Sequence, residues 1–339
     1  MPTSPPYLDD IRSQPAALQQ LLDAGLSTEV TRLLSKLGSF DRIVMTGMGA
    51  SLFAHQPAFL QLAGAGFPAW TIETSELLGP ARGLITPRSL LWITSQSGNS
   101  GEVTALLERL GERRPVVLGV TNDTASDLAL GADVVLELYS GDEQTVGTRS
   151  YVNTLAAQTL ATAVALDHTV DDSLLNLPEQ LETYLAGWNQ HLTALTNAVR
   201  TRTTFIVGRG PSLAAVQTGA LIIKEAAKVP VEGMSTPQFR HGPLELVDPD
   251  TTVIHLAGYG DDADFNRQML KDVERTGGHP VWLSPEADHS DITLPAVISP
   301  DTLPIAEILP LQLLSVALAE RNGIEPGAFR NIEKITRTL

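Results

Sequence analysis

Residues 94–102 read T-S-Q-S-G-N-S-G-E, placing Ser95, Ser97 and Ser100 around Gly98 with no lysine or arginine among them. A β-branched run precedes the string and a helical pattern follows it, so it forms a strand-to-helix turn. Hydroxyls and outward N–H groups at a helix start suit an anion, and small residues let a ligand approach the backbone. The helix dipole adds about 0.3–1 kcal/mol for a charged group there. A nucleotide loop would end in G-K-[ST], which this one does not. A purely structural turn, with Asn99 or Ser100 capping the helix and Glu102 in its first turn, fits the same string.

Glu225 is the second candidate. On a helix spanning 211–228 it shares a face with Ala214, Thr218, Leu221 and Ile222, while Gln217, Lys224 and Lys228 form another face. A carboxylate among apolar neighbours is desolvated, its pKa rises, and it becomes suited to carry a proton. An ordinary surface glutamate paired with Lys224 and Lys228 is the alternative. His241 precedes Gly242-Pro243, a turn that can fix an imidazole able to exchange protons near neutral pH. Its alternative is a loop histidine with one backbone hydrogen bond. His55, His168, His191, His255, His279, His289 and the four tryptophans are read as structural.

The elements that must position these groups alternate along the chain. The first 38 residues carry helical spacing, with Leu18, Leu21 and Leu22, then Val30, Leu33, Leu34 and Leu37. Strand-like runs follow at 42–49, 89–95, 115–121 and 132–138, separated by helical stretches such as 102–111 and 124–130. Residues 151–200 read as mostly helix. Runs return at 203–210, 251–257, 280–284 and 296–299, with helices over 211–228, 264–276 and 303–322. Strands alternating with helices predict α/β architecture with parallel sheets covered on both faces. Gly47-x-Gly49-x-Ser51 and Gly208-x-Gly210-x-Ser212 repeat at an offset of 161. At that offset Ser95, Ser97 and Ser100 map onto Leu256, Gly258 and Asp261, so only the first copy is expected to take an anion.

Composition bounds the rest. The 339 residues suit two domains. A net charge of −16 without a basic patch speaks against nucleic acid and anionic membranes as partners. The absence of cysteine excludes thiolate nucleophiles, disulfides and cysteine metal sites within these residues. The histidines lack metal-site spacing, so neither metal nor cofactor is expected. Without a leader-like start or an 18-residue apolar run, a cytoplasmic protein is expected.

The serine string resembles the S-x-S-G-x-[ST]-x-E signature of sugar isomerase (SIS) domains, with Ser95, Ser97, Gly98, Ser100 and Glu102 at the pattern positions. K-E-A-A-K-V-P-V-E-G-M-S-T-P-Q-F-R-H-G-P-L-E-L-V-D (224–248) resembles the catalytic stretch of the isomerase half of glucosamine-6-phosphate synthases. R-N-I-E-K-I-T (330–336) resembles the tail of those enzymes, and D-D-I-R-S-Q-P-A-A-L (9–18) resembles their start. The likeness spans nearly the whole chain and implies two SIS domains in tandem, each a flavodoxin-like α/β/α sandwich with a mainly parallel sheet. The expected boundaries are a helical segment 1–38, SIS domains 39–170 and 201–324, a helical connection 171–200, and a tail 325–339 over the active site.

By resemblance, the phosphate of a sugar 6-phosphate sits on Ser95, Gln96, Ser97, Gly98 and Ser100, and Ala50 and Ser51 close the pocket. Val146 and Thr148 match a segment that contacts the sugar, although Arg149-Ser150 departs from the family's Thr-Lys. Glu225 moves the proton between C1 and C2, and His241 opens the ring from the other subunit of a homodimer. Lys334 contacts the open-chain sugar; a solvated tail lysine is the other reading of that position. The chain starts at Met1, has no cysteine, and carries Ile222 where the synthases have lysine, so ammonia release is expected rather than glutamine-dependent synthesis. The leading expectation is deamination of glucosamine 6-phosphate to fructose 6-phosphate. A deglycase for fructosamine- or glucoselysine-type 6-phosphates, another aldose–ketose phosphate isomerase, and a non-catalytic phosphosugar sensor are the alternatives.

Overall fold

A computed structural model describes residues 5–111, 114–143, 145–199, 203–286, 290–295 and 299–337. The chain divides into two compact units. The first-sheet unit comprises Ala16–Asp142, Arg149–Asp171 and Asn331–Leu339, and the second-sheet unit comprises Met1–Pro15, Glu143–Thr148 and Asp172–Arg330.

The first-sheet unit holds β1 (Arg42–Gly47), β2 (Ala69–Glu73), β3 (Ser89–Thr94), β4 (Val116–Thr121) and β5 (Val134–Glu137). They pair in parallel in the order β2-β1-β3-β4-β5. Every residue of β3 is buried, as expected for a strand covered on both faces. Val44, Leu91, Ile93 and Val117 from the strands pack with Val103 and Leu106 of helix Gly101–Arg109 and with Leu128.

The second-sheet unit repeats this plan with β6 (Thr203–Gly208), β7 (Val231–Ser235), β8 (Thr251–Leu256), β9 (His279–Ser284) and β10 (Ile292–Thr293), ordered β7-β6-β8-β9-β10 and parallel throughout. Phe205 and Phe239 meet edge to face at 5.1 Å in a core with Val207, Val253, Met269 and Val273. Helix Leu213–Ala227 packs on β6 and β7 and against helix Leu303–Arg321.

Seven strand-like runs correspond to β1, β3, β4, β5, β6, β8 and β9. Two of the edge strands, β2 and β7, are additions to the sequence reading. Each has five residues, is only partly buried, and so lacks the continuous apolar run that marks a central strand. Residues 296–298 of the run expected at 296–299 lie outside the described residues, and the fifth strand forms at β10.

The repeat is also corrected. β1 and β6 start 161 residues apart, at 42 and 203, but β3 and β8 start 162 apart, at 89 and 251. Ser95, Ser97 and Ser100 therefore correspond to Ala257, Tyr259 and Asp262, one position beyond the expected partners. Among the described residues one helix, Leu303–Arg321, is long and apolar enough to cross a membrane, contrary to the expectation of no such run; the apolar window is 94% buried.

Candidate functional site

In the first sheet, β1 is followed by a crossover to β2 on one side and β3 by a crossover to β4 on the other. Strand order reverses between β1 and β3. Open parallel sheets form a ligand crevice at the carboxyl ends of two such strands. The loops leaving those ends are Met48–Ser51, which opens the short helix Ala50–Phe53, and Ser95–Ser100, which opens helix Gly101–Arg109. The candidates Ala50, Ser51, Ser95, Gln96, Ser97, Gly98 and Ser100 thus converge on one edge of one sheet.

The serine loop is held internally. Ser95 is buried, and its carbonyl and hydroxyl oxygens both accept from the Gly98 N–H, at 3.1 and 3.2 Å. The Gln96 carbonyl accepts from Asn122 N at 3.0 Å and from Thr121 Oγ1 at 3.2 Å. Gly98 has φ +63°, a conformation glycine adopts freely. The Asn99 side chain donates to the Ser97 carbonyl at 2.9 Å and accepts from Asp127 N at 3.0 Å. Asn99 therefore braces the loop, and Ser100, at the N-cap, makes no side-chain capping bond. The purely structural reading of the string needed one of these two side chains as the cap. The Gly101 N–H instead donates to the Thr336 carbonyl at 3.0 Å. The exposed Lys334 lies two residues before Thr336, so the tail segment bearing it reaches the start of the serine-loop helix within this unit.

Glu225, His241, Val146 and Thr148 fall in the second-sheet unit. Glu225 lies on the last turn of helix Leu213–Ala227, half-buried, with buried Thr218 and Ile222 on its face. Burial raises its carboxyl above the ordinary carboxylate range; the positive charges of Lys228 and then Lys224 pull it partly back. Val146 and Thr148 are buried, and the Thr148 N–H and hydroxyl both donate to Glu143 Oε1, at 2.8 and 3.0 Å. Their side chains thus build the segment from inside. His241 is exposed at the end of helix Thr236–Arg240, where its N–H donates to the Gln238 carbonyl at 3.1 Å.

His55 and His255 are fully buried, and desolvation pushes them down to about 4 and about 3. Both are neutral at physiological pH, as structural histidines should be.

The sequence reading overlooked Glu307. Its carboxyl is completely buried in helix Leu303–Arg321, accepts from Ser212 Oγ at 2.8 Å, and is pushed up to about 8 by desolvation. It is therefore neutral at pH 7. The stability associated with the neutral acid is complete below the ordinary carboxylate range, declines as pH rises from about 4.5, and is gone above about 8. Glu307→Gln, which cannot ionise, is expected to raise Tm by several degrees at pH 8.5 and to change it little at pH 5. Thermal melts at the two pH values check this; equal shifts at both would show that ionisation of Glu307 is not what the alkaline fold opposes.

Fold and loops together define a tandem α/β protein of doubly wound, parallel-sheet domains, with one serine-lined switch point. The SIS domain model matches residues 36–166 and 199–319, and the chain belongs to the SIS family. It is 29% identical over 339 aligned residues to the glutamine–fructose-6-phosphate aminotransferase (isomerizing) of Pyrococcus horikoshii, covering 96% of this chain and 56% of that protein. The chain thus spans little more than half the length of this curated relative. Among solved structures, the C-terminal domain of glucosamine-fructose-6-phosphate aminotransferase from Francisella tularensis superposes with TM-score 0.82 at 22% identity, covering 95% of this chain and 97% of that one. The glucosamine-6-phosphate deaminase of Thermotoga maritima superposes with TM-score 0.75 at 20% identity, covering 97% and 99%.

Proposed function

We propose that the chain is a phosphosugar enzyme that converts glucosamine 6-phosphate and water into fructose 6-phosphate and ammonia. The observation that carries the reading is Glu225: a half-buried carboxyl that desolvation raises above the ordinary carboxylate range, on the last turn of a core helix. A general base works best when its pKa lies near the operating pH.

In this reading the loop Ser95–Ser100 holds the phosphate through hydroxyls and backbone N–H groups. His241 protonates the ring oxygen and opens the ring. Glu225 removes the proton from C2 of the open-chain aldehyde and returns it to C1, leaving an imine at C2. Water adds there and ammonia leaves. Lys334, beside the serine loop through its tail segment, neutralises charge on the open-chain sugar. The exposure of His241 on a single chain supports its service to a second copy in a homodimer. Ammonia release is favoured over synthesis because Ile222 cannot supply an amine one turn before Glu225.

The test is a panel of glucosamine 6-phosphate, fructosamine 6-phosphate, glucoselysine 6-phosphate and fructose 6-phosphate, scored for ammonia, free amine and sugar-phosphate products. Ammonia and fructose 6-phosphate from the first compound alone support the reading. Turnover confined to the ketosamines replaces it with a deglycase, and thermal stabilisation without turnover replaces it with a sensor. Ser97→Ala with Ser100→Ala is expected to raise KM at least tenfold, since each lost bond to a dianion costs about 1.5–3 kcal/mol. An unchanged KM in steady-state kinetics removes the phosphate from this loop.

A further inference from the structure

The helix that carries Glu225 ends in an unusual way. Its C-cap residue, Lys228, has φ +56° and ψ +32°, a left-handed conformation that glycine adopts without strain and a residue with a Cβ does not. The side chain folds back over the helix end. Lys228 Nζ donates to the carbonyl oxygen of Glu225 itself and, at 2.7 Å, to that of Ala328. The neighbouring carbonyl, Ala226 O, accepts from Gly327 N at 3.3 Å. Two carbonyls that a helix end leaves without intrahelical donors are thus tied to the segment around residues 327–328.

That segment is itself clamped. Gly327 has φ +79°, and a Cβ there would lie 2.8 Å from Tyr7 Cβ and 3.1 Å from Thr145 Cβ. The strand of chain next to Lys228 can therefore neither move inward nor accept a side chain. A strained backbone retained beside a reactive group, with a charged side chain aimed at that group's own peptide, is the pattern expected where strain serves a site.

We propose that Lys228 is a positioning residue for Glu225: its ammonium locks the last turn of the helix to residues 327–328 and holds a fixed positive charge beside Glu225. The inference rests on the reading of Glu225 as the proton carrier. Other charges face the group too. Lys224 lies on the same helix, and the buried hydroxyl of Tyr7, from helix Pro6–Arg12, feels Glu225, Glu143 and Asp10. Arg330 opposes the charge on Lys228. Of the two lysines whose charge favours the ionised Glu225, Lys228 has the larger effect. Removing the ammonium should therefore move Glu225 further upward, and the base should be protonated at a higher pH.

The test uses the full chain labelled with ¹³C-glutamate, the Glu225 carboxyl resonance being assigned by its loss in E225Q. In K228G, where glycine relaxes the backbone, the Glu225 titration midpoint is expected to rise by at least about half a pH unit. In K228R, which keeps the charge, it should stay near the wild-type value. K228N, whose side chain tolerates the left-handed conformation, provides the same neutral substitution should K228G fold poorly. The acid limb of kcat/KM for glucosamine 6-phosphate should move with the midpoint. A midpoint unmoved in K228G and K228N, with only Tm altered, overturns the proposal and leaves Lys228 a helix cap. An E225Q enzyme that still exchanges the C2 proton overturns the role of Glu225 instead, whatever the titration shows.

Discussion

Glu225→Gln is expected to slow proton transfer between C1 and C2 by about 10²–10⁴-fold while leaving sugar-phosphate affinity within a few-fold of wild type. Glutamine matches glutamate in shape and cannot shuttle a proton. The fold should tolerate it, because the site already penalises the charged form: desolvation is the largest influence on Glu225, ahead of both lysines. Replacing a partly desolvated carboxylate with an amide removes that cost, so Tm should hold or rise slightly. The measurement is solvent deuterium incorporation at C1 and C2 followed by proton NMR, with affinity from calorimetry on the same samples. Deuterium entering at the wild-type rate would exclude Glu225 as the base. In the wild type, activity should fall on acidification at a pH above the ordinary carboxylate range, because burial holds the proton on Glu225 longer.

The sequence carried the tandem plan and most of its central strands, for a physical reason. β1, β3, β6 and β8 lie inside their sheets and are buried on nearly every residue, so each reads as an unbroken apolar run. β2 and β7 lie at sheet edges, carry Glu73 and Glu232 among few buried positions, and read as loop. The serine loop was legible because small and hydroxylated residues cluster there. What the string could not decide was whether its side chains serve the chain or a ligand. Asn99 turned out to brace the loop, and Ser100, at the N-cap, makes no side-chain capping bond.

The pairing of copies slipped by one residue because a single extra residue lies between β6 and β7 relative to β1 and β2, and a fixed offset cannot see it. Lys228 was read as part of a separate polar face of the helix. Its left-handed backbone, which turns the ammonium back on Glu225, depends on where residues 327–328 lie, about a hundred positions further along the chain. Glu307 stood in an apolar run, and nothing local marked it as a fully buried acid.

Gly98→Ala should abolish phosphate binding by the loop more completely than removing its hydroxyls, and should lower Tm as well. A Cβ on Gly98 would lie 2.0 Å from Ser126 Oγ, 2.5 Å from Ser126 Cβ and 2.9 Å from Thr121 Oγ1, so one of these groups must move. Ser126 is poorly placed to give way. Its hydroxyl donates to the Asp123 carbonyl at 2.6 Å and accepts from Ala129 N at 3.3 Å, capping helix Asp127–Gly131. Gly98 cannot retreat either, since its N–H is held by Ser95 and its carbonyl accepts from Leu128 N at 3.0 Å. The left-handed φ of +63° adds about 1–2 kcal/mol for any residue with a Cβ. Gly64→Ala is the matched control: it lies in helix Gln56–Gly64 with nothing within 4 Å of the new methyl, and alanine there should hold or raise Tm. Thermal melts with and without fructose 6-phosphate would compare the two. Gly98→Ala should lose the ligand-induced rise in Tm, Gly64→Ala should keep it, and the Ser97/Ser100 double alanine should fall between them. A full ligand shift in Gly98→Ala would mean that the sugar phosphate is held elsewhere than on this loop.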